Sequence, residues 1–346
     1  MKKLMKGNDA IAYGALLGGA THFFGYPITP ASEIAHTAAY YFTKAGRTFM
    51  QAESELAAVN MILGAASAGA RTMTASSSPG IALMGEGLSY LAGSHLPSVI
   101  VNIQRAGPGL GYIWPEQSDY NMVVKGGGNG IYKNIVLAPN SVQEMADFAY
   151  KAFELADKYR MTVMILSDAY IGQMMEPVSF PSKILKSKRK KWAIYADSES
   201  RGNLISSIYM TKEELINNVD SLLAKYEKLE KDIVDYEETR TDDAEHVIVA
   251  FGISSRVVLT AIRALRAQGV KVGLFRPKTL FPFPKKRLLE ISKNLKSIIS
   301  VELNEGQMAD DIELAVQCSA PVKRLGWYGG VVPSVTELVD RIRKLI

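Results

Sequence analysis

Short runs of branched apolar residues alternate with segments of helical period along most of this chain, and that alternation constrains the fold more than any other feature. Pro97 to Ile103, Lys133 to Pro139 and Met161 to Leu166 have the composition of strands buried on both faces of a parallel sheet. Between the last two, Ser141 to Tyr159 opens with a serine and a glutamate three residues on, a capping-box start. Earlier, Thr48 to Gln51 and Arg71 to Ala75 read as short strands. Ala10 to Phe24 suits a small-residue helix, and Ile81 to Leu91 reads as another helix. Glu53 to Ala70 places Leu56, Val59, Ile62, Leu63 and Ala66 near helical spacing. The pattern predicts an α/β, doubly wound, mainly parallel-sheet domain over 1–180. From His246 the rhythm resumes and predicts a smaller α/β domain over 246–346. Residues 181–245 are densely charged and read as a linker or insertion, with Thr211 to Glu238 as one long exposed helix.

Composition removes several function classes. Hydrophobic content of 47% with 22% charged residues is ordinary for a globular chain. No uninterrupted apolar run reaches the length of a membrane span, and the basic start lacks the apolar core of a signal peptide, so a cytoplasmic protein is expected. The single cysteine, Cys318, cannot hold a cluster or a thiolate zinc site and is expected to be a small buried hydrophobe. Four scattered histidines supply no metal-ligand spacing, and no metal site is expected on this chain. The net charge of +5 is concentrated between Lys183 and Lys191, which reads as a solvated basic linker without nucleic-acid motifs. Neither a P-loop, a dinucleotide fingerprint nor a Gly-x-Ser-x-Gly elbow is present.

Ligands of open α/β sheets bind beyond the carboxyl ends of the strands, so the loops after the strands hold the candidates. In Gly25-Tyr26-Pro27-Ile28-Thr29-Pro30-Ala31-Ser32 two prolines stiffen the chain and present the Thr29 hydroxyl before a helix entry. Arg105 ends a buried strand and adjoins a glycine-rich loop, a position from which a guanidinium can clamp a carboxylate bidentately. Glu55 runs straight into Leu56-Ala57-Ala58, where a carboxylate needs a partner such as a ligand nitrogen. Glu53 needs no role beyond the helix dipole.

Taken with Gln51 to Glu55, Ser77-Ser78-Pro79-Gly80, Gln104 to Pro108, Pro115 to Tyr120 and Arg276 to Pro284, these loops resemble the α subunit of the 2-oxoacid:ferredoxin oxidoreductases over nearly the full chain. The resemblance implies a thiamine-diphosphate pyrimidine-binding domain followed by a transketolase C-terminal-like domain. It assigns Glu55 to the N1′ of the aminopyrimidine, with Tyr26, Pro27 and Ser77 around the cofactor. Thr29 would touch the keto or carboxylate oxygens of the substrate, and Arg105 would hold the carboxylate until it leaves as CO₂. The reaction implied is oxidative decarboxylation of a 2-oxoacid to acyl-coenzyme A with reduction of ferredoxin.

The family's Gly-Asp-Gly and downstream Asn are missing, Ser167-Asp168-Ala169 being a poor substitute, and cluster cysteines are missing too. The resemblance therefore implies a β subunit that binds the diphosphate and Mg²⁺, a γ subunit, and a ferredoxin-like δ subunit carrying [4Fe–4S] clusters. Nucleic acid and membrane are not expected partners. Ile113 and Trp114 offer an apolar wall for an aliphatic side chain, and no cation follows Arg105 until Lys125, which favours 2-oxoisovalerate over 2-oxoglutarate. A non-catalytic assembly subunit and a plain decarboxylase are the alternatives. The joint presence of Thr29, Glu55 and Arg105 argues against a scaffold.

Overall fold

The computed structural model describes residues 2–346. The chain runs through β1 (Lys3–Lys6), α1 (Gly7–Leu17), β2 (His22–Gly25), α2 (Ser32–Lys44), β3 (Thr48–Gln51), α3 (Glu55–Ser67), β4 (Thr72–Ser76), α4 (Ser78–Leu83), α5 (Gly85–Gly93) and β5 (Ser98–Gln104). It continues through α6 (Tyr120–Val124), β6 (Ile135–Leu137), α7 (Val142–Tyr159), β7 (Thr162–Asp168), α8 (Ala169–Gln173) and β8 (Met175–Val178). After an irregular stretch come α9 (Lys212–Asp232), β9 (Tyr236–Thr239), β10 (His246–Val249), α10 (Gly252–Ala267), β11 (Val272–Pro277) and β12 (Thr279–Phe281). The last elements are α11 (Lys285–Ser292), β13 (Ser297–Glu302), α12 (Gln307–Val316), β14 (Val322–Gly326) and α13 (Val335–Leu345).

A seven-stranded sheet has the order β12-β6-β7-β5-β4-β2-β3 and a five-stranded sheet the order β14-β13-β10-β11-β9. Both are parallel except for one edge strand each, β12 and β9. Helices cover both faces, as the alternating pattern requires. Ile11, Ile34, Phe42 and Phe153 pack from α1, α2 and α7 on one face of the larger sheet. Val59, Ile62, Leu88 and Leu91 pack from α3 and α5 on the other. Gly14 and Gly18 explain the small-residue character of α1. A methyl at either would meet the backbone of α7 at Ala146 or Tyr150, so α1 lies backbone to backbone on its neighbour.

Five expectations are corrected. The helix expected from Ala10 to Phe24 spans Gly7–Leu17 and ends in a turn at Gly18 and Gly19 (φ 86), after which His22–Gly25 forms β2. The helix expected from Ile81 to Leu91 is two helices that meet at Met84. The long helix starts as expected, with Thr211 and Glu214 in a reciprocal capping box, but it stops at Asp232. Tyr236–Thr239 instead pairs with β11, because the open edge of the second sheet offers these residues a hydrogen-bond ladder. Cys318 is exposed rather than buried, in a left-handed turn after α12. The basic run is not wholly solvated. Lys190 is buried, and its ammonium reaches Asp157, which also accepts from Arg71.

One strand of the C-terminal half crosses to the first sheet. Arg276 is the penultimate residue of the second sheet's β11, and three residues later β12 joins the first sheet beside β6. Arg276, only 2% exposed, gives a bidentate pair of bonds to Glu144 of α7 (2.8 and 2.7 Å) and two more to Glu237 of β9 (3.0 and 2.6 Å). Gln117 adds a second clamp: its amide donates to Phe251 O, and its side-chain oxygen accepts from Ser254 Oγ and Leu303 N. Asp168 caps α8 through Tyr170 N and Ile171 N and also accepts from Ile253 N at the start of α10. Burial pushes its carboxyl up to about 6 despite those three donors.

Candidate active site

In the larger sheet the chain passes from β2 outward to β3 and then returns beyond β2 to β4, so the strand order reverses between β2 and β4. A crevice at the carboxyl ends of two such strands is where α/β sheets bind ligands. The loop after β2 carries Tyr26, Pro27 and Thr29, and the loop after β4 carries Ser76, Ser77 and Ser78. Glu55 enters from the first turn of α3, whose cap is Ser54 Oγ accepting from Ala57 N.

Glu55 is 4% exposed. Ser76 Oγ donates to its Oε1 at 3.0 Å, and among the described residues no donor reaches Oε2. No cation pairs with this carboxylate among those residues. Oε2 is not among the fully buried unpartnered atoms, so this oxygen opens to the crevice, where a donor from outside the chain can reach it. Gly80 is required here: a methyl at that position would overlap both Ser76 Oγ and the Glu55 carboxylate.

Arg105, 7% exposed at the end of β5, spans the crevice to the Thr29 loop. Its Nη1 donates to Thr29 O at 2.7 Å and its Nη2 to Leu110 O at 2.9 Å, whereas Nε is buried with no partner. Its backbone N donates to Ser78 Oγ, which in turn donates to Asp119 at 2.6 Å. Asn102 donates to the same Asp119 oxygen. Burial raises the Asp119 carboxyl, and these two donors oppose the rise. Three consecutive serines thus connect the glutamate, through Ser76, with the arginine, through Ser78. The Ser77 hydroxyl between them is buried and has no partner.

Thr29 and Arg105 are therefore in direct contact, and Glu55 sits two serines away. Tyr26 is partly exposed on the Thr29 loop and, with Pro27, makes no hydrogen bond to Glu55 among the described residues. Ile113 and Trp114 do not touch the arginine side chain through any polar contact. With Thr29 they line an open cavity of about 530 Å³, whose walls also include Tyr170, Met174 and Glu33. Glu33 accepts from Gln173 at 2.9 Å and from Asn8 at 3.0 Å. Burial acts to raise its carboxyl, and these donors outweigh it and hold it below the usual range. Glu33 and Tyr170 were not singled out in the sequence, Ser76 stood only at the edge of the serine loop, and Gly80 and Asp119 entered only as members of motifs, without a role. Only the short spacing from Ser76 to Gly80 carried a local signal, since Glu33 and Tyr170 come together only because α2 and α8 both pack on α1.

Glu116 links this region to the second sheet. Its carboxylate accepts from Gly107 N, Ser118 Oγ and Gly329 N. A second cavity, of about 620 Å³, lies beside it, between Ser78, Gly107 and Gln307. Lys125 is committed elsewhere, to Asp311. Among the described residues no group of three His, Cys, Asp or Glu side chains is arranged to hold a metal, and no helix is long and apolar enough to cross a membrane.

Residues 13–238 match the family model described as pyruvate flavodoxin/ferredoxin oxidoreductase, thiamine diphosphate-binding, and residues 244–338 match pyruvate:ferredoxin oxidoreductase core domain II. The chain is 52% identical to the ketoisovalerate oxidoreductase subunit VorB of Methanothermobacter marburgensis, covering 99% of this chain and 97% of that one. It is 34% identical to the 2-oxoglutarate synthase subunit KorA of the same organism, over 98% and 97% of the two chains. Among solved structures, a 2-oxoglutarate:ferredoxin oxidoreductase from Magnetococcus marinus with 2-oxoglutarate, coenzyme A and succinyl-CoA bound superposes with a TM-score of 0.92 at 28% identity. That match covers 99% of this chain and 65% of the Magnetococcus chain.

Proposed function

The chain belongs to the pyruvate flavodoxin/ferredoxin oxidoreductase family, the 2-oxoacid:ferredoxin oxidoreductases, and from that premise we propose that it is the half-site subunit of an enzyme that decarboxylates 2-oxoisovalerate oxidatively. The products are the branched acyl-coenzyme A and CO₂, and the electrons pass to ferredoxin in the cytoplasm. Thiamine diphosphate fits the residues present. Glu55 Oε2, which has no donor among the described residues, would hydrogen-bond the pyrimidine N1′ and favour the form of the ring in which that nitrogen carries a proton, and Ser77 Oγ and the Tyr26–Pro27 loop flank the same crevice. When bound, the cofactor supplies the electron sink for loss of the carboxylate.

The rest is the work of this chain's own side chains. Ser76 holds Glu55 Oε1 and so fixes which oxygen is left for the pyrimidine. Arg105 gives its Nη groups to Thr29 O and Leu110 O and its Nε is buried, so the bidentate clamp expected from the sequence is closed here, and its role toward a substrate carboxylate is the attraction of its charge and the placing of Thr29. Thr29, anchored by Arg105 through its own carbonyl, presents its hydroxyl to the substrate oxygens. The diphosphate and Mg²⁺ are assigned to a β subunit, the [4Fe–4S] clusters to a ferredoxin-like δ subunit, and a γ subunit completes the assembly.

The cavity beside Thr29 is the observation that carries the choice of substrate. Its walls include Ile113, Trp114, Tyr170 and Met174, and its single charged lining residue is the anion Glu33. An isopropyl group is at home against such walls. Lys6 pairs with Glu33 at 3.6 Å from outside the cavity, so the distal carboxylate of 2-oxoglutarate would meet a screened anion with no cation among the lining residues. Glu33→Gln in the assembled complex tests this. The kcat/KM preference for 2-oxoisovalerate over 2-oxoglutarate should fall about 10-fold, the size of removing one partly screened like-charge contact. An unchanged ratio would detach the cavity from substrate choice.

A further inference from the structure

The loop that carries Thr29 is held from behind by a side chain that lines neither cavity. Asn8 lies in the first turn of α1 and is fully buried. Its Nδ2 donates to Pro30 O at 2.7 Å and to Glu33 Oε2 at 3.0 Å. A carbonyl and an ionised carboxylate can only accept, so the amide is oriented with its nitrogen towards them. Gln173 of α8 reaches the same two groups, donating to Pro30 O at 3.3 Å and to Glu33 Oε1 at 2.9 Å. Arg105 already holds Thr29 O, so two consecutive carbonyls of this loop are each tied to a side chain from another element.

The other end of the amide does nothing for the fold. Asn8 Oδ1 is buried with no partner, and an unsatisfied buried acceptor lowers stability. An apolar side chain of similar size would avoid that loss. The surroundings are nevertheless shaped to admit this amide: a methyl on Gly172 would come within 2.6 Å of Oδ1, and one on Gly7 within 2.2 Å of Ile171 O. The start of α1 and α8 therefore meet with no side chain between them at either glycine. What distinguishes asparagine at this position is its pair of donors to the segment that follows Thr29.

We propose that Asn8 is a positioning residue for the decarboxylation: by holding Pro30 O and Glu33 together it aims the Thr29 hydroxyl and fixes the carboxylate in the wall of the neighbouring cavity. This rests on the reading of Thr29 as the group that meets the substrate oxygens. Among the described residues Asn8 shares no hydrogen bond with Glu55, so cofactor binding is independent of it. The charged groups around the amide are Glu33 on α2 and Lys6 on β1, which lies 3.6 Å from Glu33 and donates to Gln173. Asp9, next to it on α1, accepts from Thr37.

Steady-state kinetics of the assembled complex with 2-oxoisovalerate, for Asn8→Ala, Asn8→Asp and Thr29→Ala, test this. Asn8→Ala should lower kcat about 10-fold or more, the scale of a small misplacement of a substrate-positioning group. The thiamine diphosphate concentration at half-maximal activity should stay within about 2-fold of the wild type. Asn8→Asp sets a second carboxylate against Glu33, so one of the two keeps a proton to higher pH than either would alone. With that proton the pair regains a donor, and turnover should approach that of the wild type at low pH. Relative to the wild type it should then fall as pH rises through the raised value. A merely structural role would give the same relative loss at every pH and would weaken cofactor binding alongside, and that result would overturn the proposal. Undiminished kcat in Asn8→Ala with Thr29→Ala impaired would overturn it alone, whereas undiminished kcat in Thr29→Ala would remove the reading on which it rests.

Discussion

At the residue scale the account turns on one carboxylate. Glu55 was legible in the sequence as an acid entering an apolar helix, and its burial matches that reading. Ser76 and Gly80, which leave it one free oxygen, were legible only as part of a short motif. Their contact with α3 depends on the packing of α4 and α3 around the end of β4. Glu55→Ala in the reconstituted complex should lower 2-oxoacid turnover by at least about 100-fold, the scale on which preorganised electrostatic contacts act. Gel filtration should still show intact assembly. Undiminished turnover would return the chain to the role of a scaffold. Gly80→Ala, which adds one methyl against Glu55 and Ser76, should weaken cofactor binding at a cost of about 1–3 kcal/mol from overpacking. The cofactor concentration at half-maximal activity reads this directly. For Arg105 the sequence showed the position at the end of a buried strand, but not that its two Nη groups would be given to the carbonyls of Thr29 and Leu110.

At the level of elements, the long branched strands and the amphipathic α7 were readable because many residues repeat one period. Short elements were not. β12 has three residues and β9 four, too few for periodicity, and each is specified by the sheet edge that receives it. The capping box expected at α7 forms in part. Ser141 Oγ accepts from Glu144 N, but the Glu144 carboxylate accepts from Asn140 N and from Arg276 instead of closing back on Ser141. A residue that looked like helix-end chemistry is thus half of an interdomain clamp. Arg276→Met should destabilise the fold by about 3–5 kcal/mol, because it strands a largely buried carboxylate. Burial alone would raise the Glu144 pKa, yet the bonds and charge of Arg276 outweigh it and the net shift is downward. The stability from this clamp is therefore complete above the unfolded carboxylate range and is lost as pH falls through the lowered folded value. Thermal melts from pH 7 to pH 3 should show the wild type losing stability over that interval, with the loss attenuated in Arg276→Met.

On the scale of the whole molecule, the two sheets are tied by Arg276, Gln117, Asp168 and Glu116, so the crevice and the cavity beside Thr29 sit on a braced frame. The doubly wound architecture and the resemblance were readable from ordered motifs. The cavity's charge was not, because Glu33 on α2 faces Tyr170 on α8 only after the sheet has formed. The account holds that this chain supplies the pyrimidine contact and the substrate pocket while a partner supplies the diphosphate site. Steady-state viologen reduction by the co-expressed complex, with coenzyme A and in turn 2-oxoisovalerate, 2-oxoglutarate and pyruvate, tests it most directly, with the isolated chain as control. The account predicts highest kcat/KM for 2-oxoisovalerate and no turnover by the chain alone. Preference for 2-oxoglutarate, or turnover by the isolated chain, would contradict it.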